Sequence, residues 1–427
     1  MVGKNSSLSD LSSRAVTLAF LAAAAACMCA CTHEDSPLAE EIAEVTLSDH
    51  SGSGVATKSI HDKYPWWRYP LDYKGIFVIE ECDLENPGVR AFLNKVDYSK
   101  DFEYSDSEVS KYIPNGSDKP QPLIIKWEGE ATNVELSTSP FFDKDVIKPQ
   151  IDGSSATVYN LIPGIVYYYR VMDEDGSVIR RACVTPTGPV RMINGVSKNV
   201  RDLGGWKADG GHIAYGRLYR GARLDDIQGN PSAKDVLFKT LGVSVDLDLR
   251  GLPKGTLGGS GEMNPWTGSD PIEYVNIKLW HYFVPSARQY EGPNIADGVT
   301  SGQYQLAIRS IINWLAEERV VYFHCHGGSD RTGTLAFLIE ALLGVSEEDL
   351  SKDYELTSFV GFSGIRERNG KSGWFFAPMV RYLRQFAPEG NIKDQVTVWA
   401  MTRHSEEVAP LSKDEIELLR SLLIVKE

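Results

Sequence analysis

The chain has 427 residues, enough for two or three domains at roughly 100 to 200 residues each, and its 42% hydrophobic and 24% charged content excludes a disordered or fibrous protein. Lys plus Arg number 44 against 58 Asp plus Glu, and the resulting net charge of −14 argues against non-specific nucleic-acid binding. Six cysteines, three of them within the first 31 residues, exclude a disulfide scaffold.

Lys4 and Arg14 precede an apolar stretch from Ala15 to Ala30, after which polarity begins abruptly at Thr32. The stretch is shorter than the 18 or so residues a spanning helix needs and reads as an export signal occupying residues 1–31. Small residues leading into Cys31 (Met28-Cys29-Ala30-Cys31) resemble a bacterial lipoprotein processing site, with Cys27 as the rival position. The acidic segment Thr32-His33-Glu34-Asp35-Ser36 resembles a surface-export tether and favours Cys31. That resemblance implies a membrane-anchored lipoprotein of the periplasm or outer membrane of a Gram-negative bacterium. Residues 32–60, with Ser51-Gly52-Ser53-Gly54, form a flexible tether.

Residues 61–188 read as an all-β sandwich. Gly75-Ile76-Phe77-Val78-Ile79-Glu80, Leu123-Ile124-Ile125-Lys126-Trp127, Asn133 to Thr138, Ala156-Thr157-Val158-Tyr159 and Val166 to Val171 are short strands separated by turn signals. Asp97 to Lys119 carries no usable pattern. Leu161-Ile162-Pro163-Gly164-Ile165-Val166-Tyr167, with Trp127 upstream, resembles the tyrosine corner of fibronectin type III domains over about residues 110–187. The resemblance implies a spacer or docking module. Cys82 and Cys183 could pair in an oxidising compartment, a matter their sequence separation does not decide.

After Pro186-Thr187-Gly188-Pro189 strands alternate with helices. Val243 to Leu249, Tyr274 to Ile277 and Arg319 to Phe323 are strand-like, and Tyr304, Ala307, Ile308, Ile311, Ile312 and Leu315 recur at helical spacing. Residues 189–427 therefore predict an α/β domain with a central, mainly parallel sheet flanked by helices, in which Val320 to Phe323 is a strand covered on both faces.

The chemistry lies in Val321-Tyr322-Phe323-His324-Cys325-His326-Gly327-Gly328-Ser329-Asp330-Arg331-Thr332-Gly333-Thr334. A strand ends at the cysteine, two glycines allow a tight loop, and a helix follows from Thr334 to Leu343, closing at Gly344. Such a loop wrapped on a helix N-terminus turns backbone N–H groups inward and suits a tetrahedral phosphate held by residues 326–331: His326, Gly327, Gly328, Ser329, Asp330 and Arg331. The same field favours thiolate at Cys325, while Arg331 supplies two parallel N–H donors to phosphate oxygens.

These residues resemble the signature of the protein tyrosine phosphatase superfamily: His-Cys, five residues, then Arg followed by Ser or Thr. The resemblance implies that Cys325 takes the phosphoryl group, Arg331 holds it in the transition state and Thr332 donates to the sulfur. It implies a phosphocysteine intermediate and no metal or organic cofactor. Asn199-Val200-Arg201-Asp202-Leu203-Gly204-Gly205, Gly216 to Ala222, Asp248-Leu249-Arg250 and Asp353 to Thr357 further resemble the bacterial tyrosine and phosphoinositide phosphatase family across about residues 190–427. In that family the residue before the loop arginine, here Asp330, is the general acid and base; Asp297 is the reserve. The family's loop commonly has Lys where Ser329 stands, which weakens the case for lipid or multiply phosphorylated substrates.

His324 is expected to fix the loop, and Arg201 and Asp202 to act as supporting ion partners. Trp280, His281 and Tyr282 could line the pocket or the core. The leading reading is a phosphatase for phosphotyrosine or a similar phosphorylated substrate. An inositol polyphosphate or phosphoinositide phosphatase would need cations clustered from Lys198, Arg201, Lys278, Arg288, Arg366 and Arg368. A surface binding lipoprotein with an inactive phosphatase domain would have lost Cys325 or Arg331, and both are present.

Overall fold

A computed structural model describes residues 78–95, 109–188, 191–251, 264–279, 298–361, 364–368 and 376–426. Cys27, Cys31, the leader, the tether, Trp280, His281, Tyr282, Arg288 and Asp297 lie outside the described residues. The chain divides into two units: the first takes the chain to Cys82 with Leu123–Val158 and Gly164–Pro186, the second Asp83–Pro122, Tyr159–Pro163 and Thr187–Glu427.

The first unit is all-β, as alternating polarity predicts. Its strands are β1 (Val78–Asp83), β2 (Leu123–Lys126), β3 (Asn133–Ser137), β4 (Ile151–Asp152), β5 (Ser155–Val158), β6 (Tyr167–Met172) and β7 (Val178–Thr187). They form a four-stranded sheet in the order β1-β7-β6-β3 and a three-stranded sheet in the order β2-β5-β4. Period-two burial sets the inward faces: Leu123 and Ile125 are buried while Ile124 is exposed, and Tyr167, Tyr169 and Val171 are buried along β6. Cys82 lies on the buried phase of β1, whereas Cys183 occupies the half-exposed phase of β7 between buried Ala182 and Val184.

The expected sandwich, residues 61–188, is smaller than its predicted span, because the described residues 83–95, 109–122 and 159–163 belong to the second unit. Helix α1 (Pro87–Lys95) buries Val89 and Phe92 in the same hydrophobic cluster as the α/β sheet, and Val109 joins them. These few apolar positions are interleaved with polar residues, so the stretch showed no strand or long-helix period.

The second unit adds β8 (Arg201–Asp202), β9 (Lys207–Ala208), β10 (Gly211–Ile213), β11 (Leu218–Gly221), α2 (Pro231–Asp235), β12 (Val243–Asp248), β13 (Glu273–Asn276), α3 (Gly298–Ala316) and β14 (Val320–His324). It continues with α4 (Arg331–Leu342), α5 (Glu347–Leu356), α6 (Phe376–Arg384), α7 (Ile392–Met401), α8 (Lys413–Leu423) and β15 (Ile424–Lys426). The central sheet runs β13-β12-β14-β11-β8, parallel except where β8 joins β11. Apolar residues fall on both of its faces: Val321 and Phe323 of β14 enter the cluster that contains α3 and α4, while Tyr322 enters another with Tyr219, Val243 and Leu237. Double coverage is what a parallel strand requires. The expected helix face of α3 is buried at Tyr304, Ala307, Ile308, Ile311, Ile312 and Leu315. Register puts Gly221 and Asp248 beside His324, so β11, β12 and β14 finish at one edge, where open parallel sheets carry their sites.

Candidate active site

At that edge β14 delivers Cys325 into the loop that opens α4. Leu249 N–H donates to the His324 carbonyl (2.8 Å) and Arg223 N–H to the His326 carbonyl (3.2 Å), tying the loop to its neighbouring strand ends. Gly328 has φ +69°, and a Cβ there would come within 2.4 Å of the Gly221 carbonyl carbon, so both conformation and space demand glycine. The first helical turn closes with Gly333 N–H to Ser329 O (3.0 Å) and Thr334 N–H to Asp330 O (2.8 Å). The Ser329 hydroxyl is buried and has no hydrogen-bond partner among the described residues. The amides that open a helix lack carbonyl partners within it and favour an anion.

Cys325 is buried at this helix N-terminus. Burial pushes its thiol up, but the Arg331 guanidinium, and then the hydroxyl and amide of Thr332, outweigh it, so the thiol is lowered below its ordinary value. Cys325, Arg331 and Thr332 are thus brought together. Arg331 is itself buried.

A second layer of charge holds the loop from beneath. Asn199, at φ +57°, donates Nδ2–H to the Gly327 carbonyl (3.1 Å), and Arg220 Nη2 donates to the Gly328 carbonyl (3.0 Å). Asp353 of α5 receives Arg201 Nε on Oδ1 at 2.8 Å and Arg220 Nη1 on Oδ2, and Arg201 Nη1 also reaches Asn199 Oδ1 at 2.6 Å. All four side chains are buried. Burial would raise the Asp353 carboxyl, but the two guanidiniums hold it low. Glu340, buried in the last turn of α4, is pushed well above the carboxylate range by burial and then by the Asp353 charge, and its oxygens have no hydrogen-bond partner among the described residues. Arg201 therefore sits among these supporting residues. Asp202 does not: its partners are Arg191 (2.9 Å) and the amides of Gly204 (2.9 Å) and Gly216 (2.7 Å), away from the loop carbonyls.

His324 fixes the loop as a cation. Its Nε2 lies 2.9 Å from Asp246 Oδ1, and Nδ1 lies 3.0 Å from the Cys325 carbonyl. Burial alone would lower the imidazole, but Asp246 and Asp248 raise it to about 9, so both ring nitrogens carry protons at neutral pH. A raised histidine stabilises fully below its ordinary value of 6.5, and that contribution is lost as pH rises through about 9. We expect the wild-type protein to lose on the order of 3 kcal/mol between pH 6.5 and 9 relative to His324→Gln, read from urea unfolding at both pH values. Parallel pH curves for the two proteins would refute the assignment.

His326 is half-buried, its Nδ1 3.3 Å from Arg223 Nη1; burial, then Arg223, Arg250 and Arg331, lower its imidazole. Arg250 is fully buried between Asp248 (2.8 Å) and Asp225 (2.7 Å). Asp330 is part-exposed at the start of α4 and accepts from Arg366 Nε at 3.3 Å.

Of the cations named as possible clamps for a polyanion, Arg201 and Arg368 are buried, whereas Lys198 and Lys278 are exposed and Arg366 is partly so. Lys198 immediately precedes Asn199, and its carbonyl receives the Ala222 amide (2.9 Å). Lys278 lays its side chain against Gly251. Arg223 is a further, partly exposed cation, and its amide bonds the His326 carbonyl. Its position just beyond the end of the parallel strand β11 is the signal in the sequence that points to it.

Residues 193–373 match the family model described as "Tyrosine phosphatase family". A relative from Cupriavidus necator, named "Putative tyrosine-protein phosphatase", is 29% identical over 167 residues, covering 36% of this chain and 59% of its own. The chain thus spans somewhat under two thirds of that relative. Among solved structures, the core catalytic domain of the PP-IP phosphatase SIW14 from S. cerevisiae matches at 14% identity and TM-score 0.24, covering 40% of this chain and 90% of that one. TpbA of P. aeruginosa matches at 16% identity and TM-score 0.27, covering 45% and 91%.

Proposed function

With residues 193–373 a domain of the tyrosine phosphatase kind, we propose that the chain is an exported, cysteine-dependent phosphomonoester phosphatase. The Cys325 thiolate attacks phosphorus, forming an S–P bond as the P–O bond to the leaving group breaks, and Asp330 gives its proton to the departing oxygen. Asp330 then takes a proton from water, the oxygen of which attacks phosphorus. The S–P bond breaks, inorganic phosphate leaves and the thiolate returns. Arg331 and the loop amides hold the equatorial oxygens throughout, and Thr332 donates to the sulfur as it leaves.

The observation that carries this reading is a buried thiol held low by a guanidinium at a helix N-terminus. An inert core cysteine would be raised by the same burial. Hydrolysis of a generic aryl phosphate is expected to survive a chelator and to fall roughly 100-fold or more in Asp330→Asn. Activity that needs an added divalent metal would overturn the mechanism.

Exposed Lys198 and Lys278 and the partly exposed Arg223 favour a second reading, in which the substrate carries further phosphates, as an inositol polyphosphate does. A substrate panel separates it from phosphotyrosine hydrolysis. We further infer that Cys31 carries a lipid anchor and that the all-β unit, residues 123–158 and 164–186 with β1, is fibronectin type III-like, a spacer between membrane and enzyme. Fatty-acid labelling lost in Cys31→Ala tests the anchor.

A further inference from the structure

Asp330 occupies the N-cap position of α4, where an aspartate ordinarily turns its carboxylate back onto the free amides of its own helix. Here it makes no such bond, and its backbone is already helical, at φ −89° and ψ −72°. Its Oδ1 instead receives Nε of Arg366, 36 residues further along. Arg366 is held in turn: its N–H donates to Ser358 Oγ (2.8 Å), and that hydroxyl donates to the Arg366 carbonyl (3.0 Å). Ser358 is buried, and Gly364, at φ +71°, makes the turn that leads into Arg366.

The pair is not a stability device. Its side chains are 21% and 24% exposed, and at 3.3 Å solvent screening keeps the contribution of such a pair small. What the bond does fix is the orientation of the carboxyl: Oδ1 is engaged by Arg366, and Oδ2 is the oxygen through which Asp330 would exchange a proton with substrate or water. A general acid must hold that proton within hydrogen-bond reach of the leaving oxygen, and a part-exposed aspartate without a cap bond has several rotamers to lose. Resting on the reading of Asp330 as the acid, we propose that Arg366, clasped by Ser358, is the positioning residue that aims the Asp330 carboxyl at the leaving group.

Protonation of the leaving oxygen matters for a poor leaving group and little for an activated one, so the test compares p-nitrophenyl phosphate with phenyl phosphate. In Arg366→Ala, kcat on phenyl phosphate is expected to fall about 10-fold further than kcat on p-nitrophenyl phosphate, with KM for both within about twofold of wild type. Arg366→Lys should restore part of the difference, and Ser358→Ala should move it the same way by less. An equal fall on both substrates, or no fall, overturns the proposal, and melting temperatures of the variants separate damage to the fold from loss of aim. A rise in KM confined to a substrate that carries a second phosphate also overturns it, because Arg366 would then be binding substrate. If Asp330→Asn itself shows no leaving-group dependence, the acid is elsewhere and the reading beneath the proposal fails.

Discussion

Replacing Cys325 by Ser is expected to abolish turnover of any phosphomonoester, with kcat falling on the order of 10⁵-fold or more, as loss of a covalent nucleophile does elsewhere. The substitution changes one atom, and its effect is chemical. The field of Arg331, the Thr332 hydroxyl and the helix amides lowers the thiol below its ordinary value and so favours the thiolate. It cannot do so for a hydroxyl, which starts several units higher. The cradle itself is expected to survive, because Asn199 and Arg220 hold the loop by bonds to the Gly327 and Gly328 carbonyls, in which the sulfur takes no part. Cys325→Ser should therefore keep affinity for a phosphate ester while turning it over no faster than background, and its melting temperature should stay near wild type. In the wild-type protein, alkylation of Cys325 by iodoacetate should titrate below the free-thiol value of about 8.5. Retention of more than about 1% of wild-type kcat in the serine variant would mean that another group is the nucleophile.

The reach of sequence reasoning follows the range of the interactions. Strand, loop and helix around Cys325 are contiguous, so their order and the glycines between them are legible in the sequence. The buried face of α3 follows from a period written along one segment. Residues that meet only after folding were another matter. Arg220 and Asp353 lie 133 residues apart, and Arg366 reaches Asp330 across a turn with no periodic signal. Arg201 and Asp202 are neighbours on a two-residue strand and looked equivalent in sequence; strand alternation sends one to Asp353 and the other to Arg191. Glu340 passed unnoticed because a single acid in the apolar run Thr334 to Leu343 does not disturb a helical pattern. Residues 83–95 and 109–122 were misassigned for the complementary reason, that Val89 and Phe92 are too few to announce which core they join.

The charge beneath the loop makes a sharper claim about energetics than any single contact. Asp353 is the one acceptor shared by Arg201 and Arg220. Removing a partner from a buried ion pair costs about 3–5 kcal/mol, because the remaining charge is left in a medium that cannot solvate it. Asp353→Asn ought to incur that cost twice over, but Glu340 lies in the same field. Burial and the negative charge of Asp353 both keep its carboxyl neutral. With that charge gone and two guanidiniums unopposed, Glu340 is free to ionise and take over part of the role. Glu340→Gln alone, which exchanges one neutral group for another of equal shape, should therefore cost no more than about 1 kcal/mol. Asp353→Asn should cost about 3 kcal/mol, and the double variant at least about 2 kcal/mol more than the sum of the two. Urea unfolding of the three variants gives this coupling directly. Additive losses would show that Glu340 stays protonated whatever its neighbour carries. The single Asp353→Asn variant should also slow turnover at least about 10-fold, because Arg220 would no longer be held against the Gly328 carbonyl.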